Sequence, residues 1–449
     1  MRSFDQIENI FFIGIGGIGM SALARYFQFQ GKNVAGYDKT PAPLTQKLKA
    51  EGMEVVYTDS IAVIPAEFLD LEKTLIVYTP AIPADHEQYL YFKKLNFQIL
   101  KRAAVLGMIT KNHFTMAVAG THGKTTTTAI LGHLLKESGV KVTAFLGGIC
   151  KNYESNLIVA GDEVMVVEAD EFDRSFLNLS PNFAAVTSMD ADHLDIYGEN
   201  QQLQDSFKAF ADLVPSEGKV FVKNGLSLQG TSIGIEDDAD FSIQKISIEN
   251  GSYFFSLKTP SETIENLQLN LPGRHNLMNA ATALSMAITY GTPISELRKA
   301  LASFKGVDRR FNYIIKSDDF VLIDDYAHHP AEIHAVHQAV REMHPGKKIA
   351  AVFQPHLFSR TRDFADDFAE SLTAFDEVLL LDIYPARELP ITGINSELIL
   401  GKIGHHNKQL VTKENLPLAA KKIGAEVLII MGAGDISEEV EKVKQIFQQ

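Results

Sequence analysis

The chain has no tryptophan, and its 449 residues include a single cysteine, Cys150. One thiol excludes a disulfide within the chain and suits a reducing compartment. On its own, Cys150 reads as a small buried hydrophobe. Long apolar runs are also missing, since no stretch approaches the 18 or so uninterrupted residues of a membrane span. The nearest, Ile10 to Ala24, is interrupted by glycines, and the segment before it carries Asp5 and Glu8 against only Arg2. It therefore lacks the positive start of a secretory leader and fits a strand-turn-helix better. Positive charge is in deficit too: 42 basic against 56 acidic residues give a net charge of -14. That balance argues against bulk affinity for nucleic acid or anionic lipid, while leaving a local anion site open. Fixed-period repeats and low-complexity linkers are absent as well. A cytoplasmic protein without membrane insertion or a nucleic-acid partner is expected.

What is present is an ordinary globular composition, 45% hydrophobic and 22% charged, in a chain too long for one core. Three domains are the central expectation. Up to residue 112, short apolar runs (IFFIGI, NVAGY, TLIVYT) alternate with amphipathic stretches such as LTQKLKAEG, the rhythm of βαβ units and a parallel sheet. A second block opens with the strand FTMAVAG, a glycine turn and the helix TTTTAILGHLLKESG, and continues through VMVVEAD and AAVTSMD. From about residue 218 to 272, short alternating segments predict an antiparallel part. Four further buried-strand runs, FVLIDDYA, KKIAAVFQ, DEVLLLDIY and AEVLIIMGAG, make a third block. The expected fold is α/β in three domains: Rossmann-like over 1–112, P-loop ATPase-like with a parallel sheet plus a small antiparallel part over 113–312, and Rossmann-like over 313–449.

Two glycine turns point to phosphate. GIGGIGMS places Gly14, Gly16 and Gly19 in G-x-G-x-x-G spacing, with Gly17, Ile18, Met20 and Ser21 completing a turn that seats a diphosphate on a helix N-terminus. Asp38 stands where a dinucleotide-binding protein would read a ribose, so a nicotinamide-dependent dehydrogenase is one reading of this turn. The second turn, GTHGKTTTT, lies between a strand and a helix. Backbone amides from Gly120, Thr121, His122, Gly123 and Thr126 would cradle phosphates there, with Lys124 on the β/γ oxygens and Thr125 on Mg²⁺. The strict pattern would have glycine at Val118, so the strand-loop-helix setting carries the reading more than the string does.

Acidic strand ends follow. EADEFD supplies Glu168, Asp170, Glu171 and Asp173, and MDADHLD supplies Asp190, Asp192, His193 and Asp195; beside a P-loop, such ends suit Mg-ATP. In the third block, DDYAHHP, QPHLFSRTRD and DIYPARE gather Asp324, Asp325, Tyr326, His328, His329, His356, Arg360, Arg362, Tyr384 and Arg387 at strand ends. Guanidinium forks in that setting suggest an anionic substrate.

These motifs, with GRHNLMNA and GVDRRF between them, occur in an order that resembles the Mur ligases of peptidoglycan synthesis, over essentially the whole chain. The resemblance implies ATP-dependent amide formation through an acyl phosphate, with Mg²⁺, UDP-N-acetylmuramate and L-alanine as the reactants' set. It implies UDP binding by the first domain, ATP binding by the second and amino-acid binding by the third. By motif position, Thr125, Glu168 and His193 resemble metal ligands, and Asn276 and Asn279 an adenine-contacting pair. Arg310 and Asp325 resemble residues that close over ATP, and Tyr326, His328 and Arg360 substrate contacts. Lys124, His193, His328 and Arg360 are the expected catalytic set. Some relatives have arginine at the position of Leu357, and several carry a carbamylated lysine near Lys208; the alanine-adding branch generally lacks the latter. A tripeptide-recycling ligase is the alternative within the family.

Overall fold

The computed structural model describes residues 4–190, 200–386 and 388–448. Its first sheet has five parallel strands: β1 (Asn9–Ile13), β2 (Asn33–Tyr37), β3 (Glu54–Val56), β4 (Thr74–Tyr78) and β5 (Gln98–Lys101), in the order β3-β2-β1-β4-β5. β1 reads NIFFI and is buried at every position, as expected for a central strand covered on both faces. The strand order reverses between β1 and β4. The turn that leaves β1 is GIGGIGMS, so the sequence places it at the topological switch point, where α/β sheets bind ligands.

The second sheet holds β6 (Phe114–Ala119), β7 (Val142–Cys150), β8 (Ser155–Val159), β9 (Val164–Glu168), β10 (Phe183–Val186), β11 (Lys219–Lys223), β12 (Thr231–Ile235), β13 (Phe241–Glu249), β14 (Ser252–Lys258) and β15 (Thr263–Leu269). Their order is β15-β14-β13-β12-β11-β10-β6-β9-β7-β8. β6 pairs in parallel with β9 and β10, again making a switch point, now above the second glycine turn. The stretch expected to be antiparallel from residue 218 starts later than that. β11 and β12 continue the parallel sheet, and only from β13 are the connections too short for parallel neighbours. β11 (KVFVK) and β12 (TSIGI) are short and buried only at their centres, so neither carries a pattern that sets them apart from the alternating strands that follow.

The third sheet contains β16 (Asn312–Lys316), β17 (Val321–Asp325), β18 (Ile349–Phe353), β19 (Glu377–Leu380), β20 (Lys408–Leu410) and β21 (Val427–Met431), ordered β16-β17-β21-β18-β19-β20. Only β16 runs antiparallel. By density of contact the chain forms two compact units: residues 1–242, 257–264 and 280–301 in one, and residues 243–256, 265–279 and 302–449 in the other. Within the first unit, the helix Ile18–Phe29 is tied to β8 by a buried polar knot. Arg25 binds Glu51 through Nε at 2.7 Å and Nη2 at 3.0 Å, and donates from Nη1 to Asn156 Oδ1. Asn156 Nδ2 in turn donates to Ile18 O at 2.5 Å and Ser21 Oγ at 2.9 Å. The knot fixes the start of the helix, where the glycine turn ends, against the edge of the second sheet. Cys150 is buried, as its sequence setting suggests, and among the described residues no helix is long and apolar enough to cross a membrane.

Candidate active site

In the first unit the second glycine turn is shaped by two glycines in left-handed backbone. Gly123, at φ 82°, caps the helix Lys124–Glu137; Gly120 is at φ 134°, and a Cβ on it would collide with Thr187 Oγ1. The end of β10 braces the turn from one side. Ser188 Oγ accepts the His122 amide at 2.8 Å and lies 2.9 Å from Thr121 Oγ1, while Thr187 Oγ1 donates to His122 O at 2.5 Å. Thr121 Oγ1 also accepts the Asp190 amide at 3.2 Å, and Thr126 is buried in the first turn of the helix.

The charged core of this site is Lys124. Its Nζ donates to Gly120 O at 2.7 Å and pairs with Glu171 at 2.7 Å from Oε2 and 2.8 Å from Oε1. Burial by itself would strip the ammonium of its proton, but Glu171, Asp170 and Glu168 outweigh it and hold its pKa above the ordinary lysine range. Glu168, the last residue of β9, receives Thr125 Oγ1 at 3.0 Å on Oε1 and the Gly147 amide at 2.8 Å on Oε2. Burial pushes its carboxyl up against the pull of Lys124 and these donors. A carboxylate and a hydroxyl side by side are hard oxygen donors, and among the described residues no three His, Cys, Asp or Glu side chains gather into a cage. That donor set fits Mg²⁺, which completes its shell with phosphate oxygens and water rather than with protein alone. His193, Asp192 and Asp195 lie outside the described residues. Lys208 is exposed on the helix Asn200–Ala211, as a solvated helix residue would be.

Asp38 follows β2 and turns its carboxylate toward the first glycine turn. Its Oδ2 accepts the Gly16 amide at 2.7 Å and its Oδ1 accepts the Thr40 amide at 3.3 Å, so it braces the turn. A cavity of about 290 Å³ runs from Gly17, Gly19 and Met20 past Thr79 and Arg102 to Gly147, Glu168 and Asp170. The first glycine turn and the carboxylate beside Thr125 thus border one space. Sequence reasoning missed Thr79 and Arg102, which sit just beyond β4 and β5 in no motif.

The second unit carries the other expected residues. Asn279 Nδ2 donates to Asn276 Oδ1 at 3.2 Å and Asn276 Nδ2 to Pro272 O at 2.7 Å, so the two are brought together on the helix Arg274–Tyr290, both buried. Asp325, the last residue of β17, accepts the Phe311 amide at 2.6 Å and the Ala327 amide at 2.7 Å, pinning the DRRF turn to the strand end. The Tyr326 ring is flanked by the guanidiniums of Arg309 at 5.0 Å and Arg310 at 4.9 Å. Glu332 gathers His328, through the amide at 2.9 Å and Nδ1 at 3.2 Å, and Arg310 at 3.8 Å. Its place four residues after His328 at a helix start was the available signal for it. Arg360 is buried in the helix Phe358–Asp363, which opens on Leu357 at φ 72°. His356 stacks on Tyr384 at 5.7 Å; Arg387 lies outside the described residues.

Burial pushes the Asp325 carboxyl up to about 6, despite Arg310 and the two amides. A carboxyl raised in the folded state stabilises fully below its unfolded pKa and loses that contribution as pH rises through the folded one. We expect about 3 kcal/mol of the second unit's stability to fade between about pH 4 and pH 6. Urea midpoints across that range should show it, and Asp325→Asn should flatten the slope; an equal slope in the variant would contradict the assignment.

Comparison with known proteins identifies the family. Residues 9–114 match the family model described as Mur ligase family, catalytic domain; 118–287 match the Mur ligase middle domain; 309–434 match the Mur ligase, glutamate ligase domain. This chain belongs to the Mur ligase family. Among its relatives, a UDP-N-acetylmuramate--L-alanine ligase of Christiangramia forsetii is 65% identical over 446 residues, covering 99% of each chain. One of the same name from Flavobacterium psychrophilum is 59% identical over 443 residues, again with 99% of each chain covered. The crystal structure of UDP-N-acetylmuramate-alanine ligase from Thermotoga maritima superposes with a TM-score of 0.82 at 27% identity, covering 98% of this chain and 99% of that one. Three α/β domains with a mixed middle sheet are therefore the fold of this Mur ligase.

Proposed function

We propose that this Mur ligase joins L-alanine to the lactyl carboxylate of UDP-N-acetylmuramate at the cost of ATP, giving UDP-N-acetylmuramoyl-L-alanine, ADP and phosphate. The observation that carries the reading is the single cavity that runs from the glycine turn of the first sheet to Glu168, the strand-end carboxylate bonded to Thr125 of the phosphate loop. In this reading residues 1–112 take the UDP moiety, 113–312 the ATP and 313–449 the amino acid.

The chemistry follows from the leaving groups. A carboxylate cannot expel oxide, so an oxygen of the lactyl carboxylate attacks the γ-phosphorus and ADP departs. The alanine amine then attacks the acyl carbon, phosphate leaves, and the nitrogen loses its proton. Amides of residues 120–126 and the Lys124 ammonium hold the phosphates and spread the charge that grows on them. Thr125 and Glu168, with His193, would hold Mg²⁺, which when bound screens two anions that must meet. Asn276 and Asn279 would take the adenine edge, and Arg310 and Asp325 would order the third domain's turn toward the nucleotide. Tyr326, His328 and Arg360 would hold the alanine carboxylate and the leaving phosphate. The turn at 14–21 supports a nucleotide sugar rather than a nicotinamide dinucleotide, because Asp38 is committed to the turn and the cavity beside it leads to the phosphate-loop carboxylate.

A phosphate-release assay with ATP, UDP-N-acetylmuramate and a panel of amino acids tests this. Release should need both the nucleotide sugar and L-alanine. Preference for a tripeptide over alanine would make the chain a recycling ligase instead, and release unaffected by omitting either substrate would remove the ligase reading altogether.

A further inference from the structure

The amides at the start of the first glycine turn are committed to acceptors within the protein, mostly at the end of β2. Gly14 and Ile15 donate to Tyr37 O at 2.8 and 2.9 Å, Gly16 to Asp38 Oδ2 at 2.7 Å, and Gly17 to Gly14 O at 3.3 Å. What the turn offers a diphosphate is therefore the first-turn amides of the helix Ile18–Phe29, those of Ile18, Gly19 and Met20. A helix N-terminus carries about half a unit of positive charge, and Asp38 sets a full negative charge behind it. Two phosphate charges would be left poorly balanced without a cation.

Among the described residues that line the adjoining cavity, Arg102 is the only basic one. It starts the helix Arg102–Thr110 directly after β5, and its guanidinium lies across the first turn of the cradle helix. A Cβ added to Gly19 would come within 2.8 Å of Arg102 Nη1 and 3.1 Å of its Cδ. The third glycine of the fingerprint thus leaves room for a guanidinium as well as for the backbone. Arg102 Nη2 stands 3.6 Å from Asp170 Oδ2, with the two side chains 27% and 40% exposed. A pair so long and so wet does not hold a guanidinium against a phosphate, which offers a charge-assisted fork at shorter range.

We propose that Arg102 is a substrate-binding residue whose guanidinium closes over the diphosphate of the nucleotide sugar, opposite the amides of Ile18, Gly19 and Met20. Asp170 keeps the guanidinium aimed into the cavity between turnovers. The identity of the sugar nucleotide rests on the function proposed above; the contact with diphosphate does not need turnover and is tested separately.

Calorimetric titration of the whole chain with UDP provides that test, because UDP carries the diphosphate without a lactyl carboxylate. Arg102→Ala is expected to raise the Kd for UDP about 30-fold or more, and Arg102→Lys about 10-fold, since a point charge replaces the fork. The KM for UDP-N-acetylmuramate should rise in parallel while the KM for ATP stays within about twofold. Unchanged UDP affinity in Arg102→Ala overturns the proposal, and so does a loss confined to UDP-N-acetylmuramate, which would show the guanidinium reading the carboxylate instead. An equal loss of ATP affinity would mark a structural role and also overturn it. A wild-type chain that binds UDP through Arg102 but releases no phosphate would leave this inference standing and defeat the ligase reading.

Discussion

Lys124→Ala is expected to lower phosphate release by about 10³-fold or more while leaving the affinity for UDP nearly intact. In the function proposed above Lys124 is the cation that meets the phosphates, and its ammonium is held charged by the surrounding carboxylates. Removing it deletes charge stabilisation that matters most as the γ-phosphoryl group transfers. The same substitution removes the cation paired with Glu171, whose side chain is fully buried. Breaking a buried ion pair by removing one partner costs about 3–5 kcal/mol, so the single variant should also unfold at lower urea. The double variant Lys124→Ala with Glu171→Gln separates the two effects: stability should return and turnover should not. Recovery of turnover in the double variant, or full activity in the single one, would show that Lys124 serves the fold alone.

Glu168→Gln should cost about 10²–10³ in kcat/KM for ATP. The two carboxylate oxygens are placed by Thr125 Oγ1 and by the Gly147 amide, so the group that would face the metal is held from both sides. The amide keeps the shape and one acceptor but loses the charge and the second hard oxygen. Affinity for magnesium should therefore fall with activity, and higher magnesium should restore only part of the rate. If activity proves independent of the substitution at every magnesium concentration, Glu168 is only a loop brace and the metal lies elsewhere.

The sequence carried the chemistry that is local. GIGGIGMS and GTHGKTTTT each follow an apolar strand and open a helix, and left-handed glycines at positions 14, 120 and 123 make the turns they predict. Acidic runs after VMVV and FVLI do end strands, so Glu168 and Asp325 sit where ligands reach a parallel sheet. Asn276 and Asn279 touch because they stand three positions apart on a helix, a spacing that can be read directly.

Other features depend on which strands become neighbours, and a one-dimensional pattern does not specify that. Asp38 has the spacing of a ribose reader, yet its carboxylate holds Gly16 because β2 pairs with β1 in a register that brings the two loops together. The parallel pairing of β11 and β12 was hidden for the same reason, since two five-residue strands carry no local mark of the direction in which they pair. Glu171 stands beside Glu168 in an acidic run, and only the packing of β9 against β6 turns it into the buried partner of Lys124. Arg102 belongs to no motif at all. The sequence by itself determined the glycine turns, the acidic strand ends and the three α/β blocks, because those are set by residues close along the chain. Tertiary structure alone decided which carboxylate braces, which pairs with lysine and which arginine lies across Gly19, because those partners meet only once the strands are laid side by side.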